Sequence, residues 1–399
     1  MVTKRPNYLI FLLLHMYRIL YLSLNRAYIN PTPGLIPLVL TETGSQIDFY
    51  GPGFQSQAIL IKGLDSFVES NGPYDIVIGS EFCTTVPLSP SFDNTIVSNS
   101  YWGGAEVRKT LLAMHHWFQG YKGIRMVLLL ETDAFNMKQL QAEFLEEHGG
   151  FIVTTWDANM MESISESADL FLEKYSDTAN DLFFNFLCRN RHRTIALPHY
   201  ISDSEVGWGC FHDRLEKISI PGVPYIYRKR AIEISKQHGM LYRNTPWLTL
   251  YAIAARLGFS VYDHWATMTH YRAQFIHQID SSKYSYTCGS AQKMHIRKHL
   301  EIPARGSLMI TAPIVGLERL GFRDKENCLV CLPDKLPDLF MNLSQNAEFL
   351  EKIANSGRKL IFEKHRVSHR AEQLKACFNS IIRKDFMGST WENGNWIVN

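Results

Sequence analysis

Six short, mostly apolar runs recur through the first half of the sequence and constrain its fold more than any other feature. The runs are Tyr8–Leu14, Ile47–Tyr50, Asp75–Gly79, Met126–Leu130, Phe151–Thr155 and Thr194–Leu197. Runs of this length between turn residues are typical of parallel strands that are covered on both faces. One gap between runs carries an apolar stripe at helical spacing, formed by Val107, Leu111, Met114 and Phe118. Strand and helix therefore alternate, which predicts an α/β fold.

The alternation begins again after residue 215, which predicts a second α/β unit. Its predicted strands are Lys217–Ile220, Phe259–Tyr262, Ser307–Thr311 and Cys328–Leu332. Its predicted helices include Arg228–Gln237 and Trp247–Leu257. At 399 residues and 46% hydrophobic content, the chain can bury the cores of two domains. We predict two Rossmann-like, doubly wound domains, over residues 1–215 and 216–370, that face each other across a cleft. Such sheets bind ligands at the carboxyl ends of their strands.

The last part of the sequence predicts a helix that crosses back to the first domain. Residues 346 to about 384 are mostly helical in pattern, and Leu374, Phe378 and Ile381 form a narrow apolar stripe. Because a helix of this length is marginal alone, its stability must come from docking. We therefore assign residues 371–399 to a crossing helix and a polar tail, anchored by Trp391 and Trp396, that pack on the first domain.

Charge and cysteine content exclude some classes of protein. The chain has 41 Lys and Arg against 39 Asp and Glu, a net charge of +2, far below the basic excess of a dedicated nucleic-acid binder. Its seven cysteines are an odd number spread through a long chain, which indicates reduced thiols in a cytoplasmic protein. His15 and Arg18 interrupt the apolar stretch that starts at Tyr8, so we expect a buried first strand and no transmembrane segment.

The stretch from Tyr284 to Leu320 contains the predicted nucleotide site. Cys288-Gly289-Ser290 is a turn signal, and a helix is predicted to begin between Ser290 and Arg297, because Pro303 and Gly306 then lead into a strand. Free N–H groups at the start of such a helix suit a diphosphate, and neighbouring cations neutralise its charge. We assign to this site Gly289, Ser290, Lys293, Arg297 and Lys298.

Glu301 and Arg228 complete the predicted donor site. A carboxylate at Glu301 can accept two hydrogen bonds from a ribose diol, and the alternative is an ion pair with Lys298 or Arg297 on the helix surface. Arg228 begins a basic triplet that follows the first strand of the second domain. Arginine is suited to bidentate phosphate contact, and the alternative is a basic helix face in solvent.

Two residues of the first domain are candidates for a catalytic base. His15 follows the first predicted strand, and Asp133 follows the apolar run that ends at Leu130. A general base is expected at a strand end that faces the cleft, and a histidine near neutrality can deprotonate an acceptor hydroxyl. The alternative for His15 is a hydrogen-bonded core residue. Glu81 and His199 occupy comparable positions.

No metal site is predicted. Cys328 and Cys331 lie three residues apart within a predicted strand, so their side chains point to opposite faces and do not hold one metal together. No D-x-D pair stands at a strand end to hold a diphosphate through a metal. A Walker A loop is also absent from the sequence, which excludes the P-loop kinases and ATPases.

Several ordered motifs resemble the group 1 glycosyltransferases, whose fold of two Rossmann-like domains is called GT-B. The segment 299–322, HLEIPARGSLMITAPIVGLERLGF, is similar to the donor-site signature of their second domain. The closer similarity is to the spore-maturation-protein (CgeB-like) branch. It rests on EIPA-G, on Gly321-Phe322 followed by Asn327, and on a later run of Ile353, Ala354, Gly357, Arg358, His365 and Arg370. The first half is similar at 25–35, 49–54 and Leu197-Pro198-His199.

This resemblance implies transfer of a sugar from a nucleotide diphosphate sugar, bound in the second domain, to an acceptor held by the first. It implies that Glu301 binds the ribose, that no metal or other cofactor is required, and that the acceptor is a glycan, a protein or a small molecule. Retaining members have another Glu where this chain has Lys293, so the stereochemical outcome stays open. The alternatives are a GT-B-like sugar-nucleotide epimerase and a non-catalytic nucleotide-sugar-binding protein.

Overall fold

The computed structural model of the protein describes two α/β units and a C-terminal extension. The described residues are 17–25, 34–88, 105–130, 137–156, 158–160, 177–207, 209–222, 226–242, 250, 253–254, 257, 265–289, 294–314, 316–343 and 346–399.

The first unit contains a six-stranded parallel sheet with the spatial order β2-β1-β3-β4-β5-β6. Its strands are β1 (Arg18–Leu22), β2 (Gln46–Tyr50), β3 (Ile76–Ser80), β4 (Ile124–Leu129), β5 (Phe151–Thr154) and β6 (Thr194–Ala196). β1 lies between β2 and β3, with Ile19 opposite both Ile47 and Ile76. The predictions for β2 to β6 are confirmed. The predicted first strand, Tyr8–Leu14, lies outside the described residues, and the strand found in the sheet is Arg18–Leu22.

Helices cover both faces of this sheet. They are α1 (Ile36–Glu42), α2 (Gln57–Lys62), α3 (Leu64–Asn71), α4 (Ala105–Gly120), α5 (Gln139–His148) and α6 (Asp177–Arg189). Successive side chains of a strand point to opposite faces. Leu20 and Val77 therefore join the core with α4 to α6, whereas Ile19 and Ile76 join a separate core with α1. The apolar stripe predicted for α4 is confirmed, because its Leu111, Met114 and Phe118 are buried.

The second unit is a smaller parallel sheet of order β10-β9-β8-β7. Its strands are β7 (Leu215–Ser219), β8 (Ser282–Thr287), β9 (Leu308–Thr311) and β10 (Leu329–Val330). Its helices are α7 (Ile226–Gln237), α8 (Trp265–Ser281), α9 (Lys298–Ala304), α10 (Leu336–Leu343) and α11 (Ala347–Lys364). One face packs against α7, α10 and α11. On the other face, Leu300, Ile302 and Ile361 belong to the same apolar cluster as Leu20 and Val77, so the two units share one core.

Strand β8 has no counterpart among the predicted strands, since four of the six residues of its sequence SKYSYT are serine, lysine or threonine. In the sheet, the Ser285 hydroxyl oxygen lies 2.7 Å from that of Ser219 and 2.8 Å from that of Ser307. All three serines are buried. Because the hydroxyls satisfy one another, polar residues occupy a strand interior without unpaired donors. The predicted strand Phe259–Tyr262, and most of the predicted helix Trp247–Leu257, lie outside the described residues.

Helix α12 (Val367–Arg383) follows α11 in the chain but packs on the first sheet. Its Leu374, Phe378 and Ile381 are buried in the core that contains Ile19 and α1. The helix is therefore fastened to the face of the first sheet opposite α4 to α6.

A β-hairpin, β11 (Ser389–Glu392) and β12 (Asn395–Val398), follows α12. The Ser389 hydroxyl accepts a hydrogen bond from the backbone N–H of Ala196 on β6, at 2.9 Å. The segment predicted as a polar tail, for which no secondary structure was predicted, thus forms two paired strands. Trp391 is buried, as its predicted anchoring role requires.

Arg370 lies at the junction of the two units and is fully buried. Its guanidinium donates to the carbonyl oxygens of Pro198 and His199, both at 3.1 Å, and to Nδ1 of His365 at 2.8 Å. The other ring nitrogen of His365 lies 2.8 Å from the carbonyl oxygen of Leu320, to which it donates. Burial lowers the pKa of Arg370 to about 9. One side chain thus connects the segment after β6 with the second unit.

Candidate functional site

Two basic side chains lie close together at the carboxyl ends of β7 and β8. Arg228, on α7, is fully buried and donates from Nη1 to the carbonyl oxygen of Pro221 at 3.0 Å. Lys298 is the first residue of α9, and its Nζ lies 5.7 Å from the centre of the Phe275 ring. Gly222 lies against both: a Cβ at this position would lie 2.4 Å from Lys298 Cε and 3.0 Å from Arg228 Nη1. Its φ of 91° also favours glycine.

The electrostatics of this pair favour an anion. Burial and the charge of Arg228 lower the pKa of Lys298 to about 8, whereas Glu301 acts in the opposite direction. Arg228 also faces the Cys288 thiol, whose pKa is raised by burial against the charge of Arg228. Two cations held at one strand edge repel each other, and a phosphate relieves that repulsion while accepting charge-assisted hydrogen bonds.

Glu301 lies in the first turn of α9 and pairs with Arg297. Arg297 Nε lies 3.3 Å from Glu301 Oε1, and the two side chains are 9% and 16% exposed. The predicted alternative, an ion pair between these residues, is therefore present, but it is mostly buried and does not lie on the helix surface. Among the described residues, the other carboxylate oxygen of Glu301 has no hydrogen-bond partner.

Arg297 is shared by two carboxylates. Its Nη2 donates to Oε2 of Glu205, which lies in the single-turn 3₁₀ helix Asp203–Glu205 after β6. The other oxygen of Glu205 accepts a hydrogen bond from Arg272 on α8. Burial acts to lower the pKa of Arg297, but Glu301 and Glu205 outweigh it and raise that pKa. The charge of Arg297 is thus paired within the protein.

Aromatic side chains of the two units meet beside this network. Trp156 follows β5, His199 follows β6, and His295 precedes α9; their ring centres lie 5.7 to 6.1 Å apart. Burial lowers the pKa of His295 to about 3, and burial together with His295 lowers the pKa of His199 well below its usual value. Both imidazoles are therefore neutral at pH 7. Neither ring nitrogen of His295 has a hydrogen-bond partner within the described part of the chain.

The structure places the described members of the predicted donor site around α9 and the strand ends. Gly289 lies two residues after the end of β8. The others form two neighbouring pairs, Arg228 with Lys298 and Arg297 with Glu301. Ser290 and Lys293 lie outside the described residues. Helix α9 begins at Lys298, one residue after the predicted interval for its start.

Both candidate bases of the first domain, His15 and Asp133, lie outside the described residues. The position of β1 nevertheless bears on His15, because this strand begins at Arg18 and so follows His15 in the chain. The predicted strand before His15 lies outside the described residues, so the role of His15 stays a prediction. Asp133 comes after β4, which ends at Leu129, so it keeps its place beyond a strand end.

Glu205 and His295 are site neighbours that the sequence did not reveal. Ser202 and Glu205 form a capping box, and that local pattern predicts a turn. It carries no sign of the partner of Glu205, Arg297, which lies 92 residues further along the chain.

Two Rossmann-like α/β units with parallel sheets are the hallmark of the GT-B architecture. The protein superposes on sucrose-phosphate synthase from Thermosynechococcus elongatus with a TM-score of 0.51 and 8% identity, over 92% of this chain and 100% of that one. It superposes on Anabaena Alr3699/HepE, in complex with UDP and glucose, with a TM-score of 0.50 and 9% identity, over 91% and 100%. The protein has the GT-B fold, as predicted.

Residues 249–376 match the family model described as glycosyl transferase-like. The matched range contains Arg297, Lys298, Glu301 and Arg370, whereas Arg228 precedes it. The second half of the chain therefore carries a glycosyl transferase-like domain. No curated protein matches the sequence.

Two further observations concern membranes and metals. Within the described ranges, every helix is too short or too polar to cross a bilayer. The described His, Cys, Asp and Glu residues form no group of three or more that could hold a metal ion.

Proposed function

We propose that the protein is a glycosyltransferase that moves a sugar from a nucleotide diphosphate sugar to an acceptor. The observation that carries this proposal is the pair of cations, Arg228 and Lys298, at the strand ends of the second unit, with Glu301 close by on α9. A nucleotide diphosphate presents phosphate charge and a ribose diol, which are the two groups that such a set can bind.

The cations have a role in the reaction as well as in binding. When the bond between the sugar and the diphosphate breaks, negative charge develops on the departing phosphate. Arg228 and Lys298 are already oriented and partly desolvated, so they stabilise that charge more in the transition state than in the ground state. A base must also take the proton of the acceptor hydroxyl, and for this role His15 and Asp133 stay predictions.

Glu301 is assigned to the nucleotide. Its free carboxylate oxygen and its partly buried position suit two hydrogen bonds from the ribose hydroxyls. UDP is the first nucleotide to test, because HepE, which shares the fold, was crystallised with UDP and glucose. The CgeB-like branch of the family is supported by the motif that includes His365 and Arg370.

The remaining parts of the proposal concern conditions and partners. The cations replace a divalent metal at the diphosphate, so the reaction requires no metal cofactor. All seven cysteines are unpaired, which supports a reducing, cytoplasmic location. The acceptor is a glycan, a protein or a small molecule, and no role in nucleic-acid binding is proposed.

The test begins with thermal shifts against UDP, GDP, ADP and dTDP, since a ligand of the folded state raises the melting temperature. Glu301→Gln should then weaken binding of the best diphosphate by about 1.5 to 3 kcal/mol, the usual worth of a hydrogen bond to a charged group. Calorimetry checks this loss of about 10- to 150-fold. Glu318→Gln, an exposed glutamate of the same unit, serves as the control.

Turnover distinguishes the alternatives. Slow hydrolysis of the donor sugar without acceptor supports the transferase, whereas interconversion of free donor sugars supports an epimerase. Binding without any turnover supports a non-catalytic binding protein. Unchanged affinity in Glu301→Gln removes this residue from the nucleotide site.

A further inference from the structure

Glu205 belongs to the first unit, yet both of its carboxylate oxygens bind arginines of the second. Oε1 accepts from Arg272 and Oε2 accepts from Arg297. The side chain is only 10% exposed, and Oε2 also accepts from the backbone N–H of Ser202 at 3.0 Å. Burial acts to raise the pKa of Glu205, but the charge and hydrogen bond of Arg297 overcome it and lower that pKa. The carboxylate is therefore charged and held in one place at neutral pH.

Glu205 fixes the orientation of Arg297, and Arg297 in turn contacts Glu301 of the proposed nucleotide site. Its planar guanidinium carries donors in a fixed arrangement, so binding at one edge orients the other. Nη2 is held by Glu205, and Nε faces Glu301 at 3.3 Å. The three side chains thus form a line, from the turn after β6 to the first turn of α9.

In this arrangement, only one oxygen of Glu301 pairs with Arg297, and the other is available to a ligand. If Glu205 were absent, Glu301 would be the remaining carboxylate beside a buried arginine, and both of its oxygens would be drawn toward the guanidinium. With Glu205 present, Arg297 donates a hydrogen bond to Glu205 and forms an ion pair with only one oxygen of Glu301. A buried charge with only one acceptor is costly, so the arrangement should be sensitive to the loss of either carboxylate.

We propose that Glu205 is a positioning residue for the nucleotide: through Arg297, it holds Glu301 in the orientation that binds the ribose. The inference rests on the proposed role of Glu301. It also implies that donor affinity depends on how the first unit packs against the second. A backbone contact supports this packing. The carbonyl oxygen of Glu205 accepts from Arg305 at 2.8 Å.

A double-mutant cycle tests this, using the tightest-binding of UDP, GDP, ADP and dTDP and isothermal calorimetry on the full chain. We expect Glu205→Gln to weaken binding 5- to 20-fold in the natural background. In the Glu301→Gln background, the same change should alter affinity less than twofold, because the residue through which it acts is already lost.

Asp203→Asn is the matched control. Asp203 lies in the same 3₁₀ turn and pairs with Arg366 of α11–α12 at 3.4 Å, but its side chain is 80% exposed. It joins the two units without touching Arg297, so its replacement should leave affinity unchanged within twofold. If Glu205→Gln does not fold, Glu205→Asp enters the cycle in its place, with an expected loss of about threefold that again vanishes in Glu301→Gln.

Two results would overturn the inference while leaving the proposed function in place. The first is unchanged affinity in the Glu205 variant. The second is an equal loss in both backgrounds, which would make Glu205 a purely structural link. A different pattern, in which Glu301→Gln binds normally or none of the diphosphates binds, rejects the proposed role of Glu301 and the inference together.

Discussion

Both sheets are parallel, but the residues that follow their strands differ in charge. After β5 and β6 of the first sheet stand Trp156 and His199, which are buried and neutral at pH 7. After β7 and β8 of the second sheet, Arg228 and Lys298 concentrate positive charge. A neutral ring can be buried at small cost, whereas a buried cation needs an anion or a dense set of acceptors. The proposed donor site thus lies in the unit whose strand ends carry the two cations.

The strongest way to break this contrast is Arg228→Met, which removes the fully buried cation and keeps a long side chain. We expect kcat/KM for the donor to fall about 100- to 1000-fold, as for loss of a group that stabilises developing charge. The matched control is Arg230→Met on the same helix, whose side chain is 52% exposed and pairs with Asp334. Steady-state kinetics measures kcat/KM for both variants, and melting curves verify that both are folded. Equal activity in the two variants would contradict the assignment.

The contribution of Lys298 to the positive charge of the second unit can be tested by a change of pH. The pKa of this lysine is about 8 in the free protein, so it loses its charge as pH rises through 8. A terminal phosphate is already ionised above pH 7. Diphosphate affinity should therefore be constant from pH 6.5 to 7.5 and fall toward tenfold per pH unit above 8, as measured by calorimetry. Lys298→Arg, which stays charged, should remove the fall, and a persisting fall would assign the titration to another group.

The same lowered pKa acts on stability in the other direction. The folded protein binds the Lys298 proton more weakly than the unfolded chain does, so the unfolding free energy rises with pH above about 8. Binding and stability thus have opposite pH slopes in this range. The two measurements therefore separate loss of the ligand site from loss of the fold.

The smallest expected effect is that of a chelator. If the cations of the second unit alone neutralise the diphosphate, then EDTA should change the rate of transfer by less than twofold. Rate measurements before and after dialysis against EDTA test this. Complete loss of activity, restored by magnesium or manganese, would show that a metal shares the charge of the donor.

Much of the fold could be predicted from sequence because its strongest signals are local. Apolar runs identify β2 to β6, since parallel strands buried on both faces have few polar residues. β8 does not follow this rule because Ser285 is satisfied by Ser219 and Ser307, serines on neighbouring segments that are distant in sequence. Burial that depends on partners elsewhere in the chain leaves no local pattern.

The residues of the candidate site also differ in whether a local sequence pattern could predict them. Glu301 lies within a segment that resembles a known signature and Lys298 directly precedes that segment, so the sequence alone is enough to propose both residues. The contact of Glu205 with Arg297 joins two segments that only the fold brings together. The prediction of His15 depends on a strand boundary, and because that boundary lies outside the described residues it stays a prediction.

Helix α12 has a consequence for the order in which the protein can be completed during its synthesis. The first sheet has β6 ending at Ala196, but the helix that covers Ile19 and Ile76 ends at Arg383. At about 5 to 20 residues per second, translation of the intervening roughly 190 residues takes about 10 to 40 s. Over that interval, the ribosome-bound first unit exposes part of an apolar face to solvent. A chaperone that engages this face would have to leave before α12 docks, so closure of the first core waits until the second unit has been synthesised.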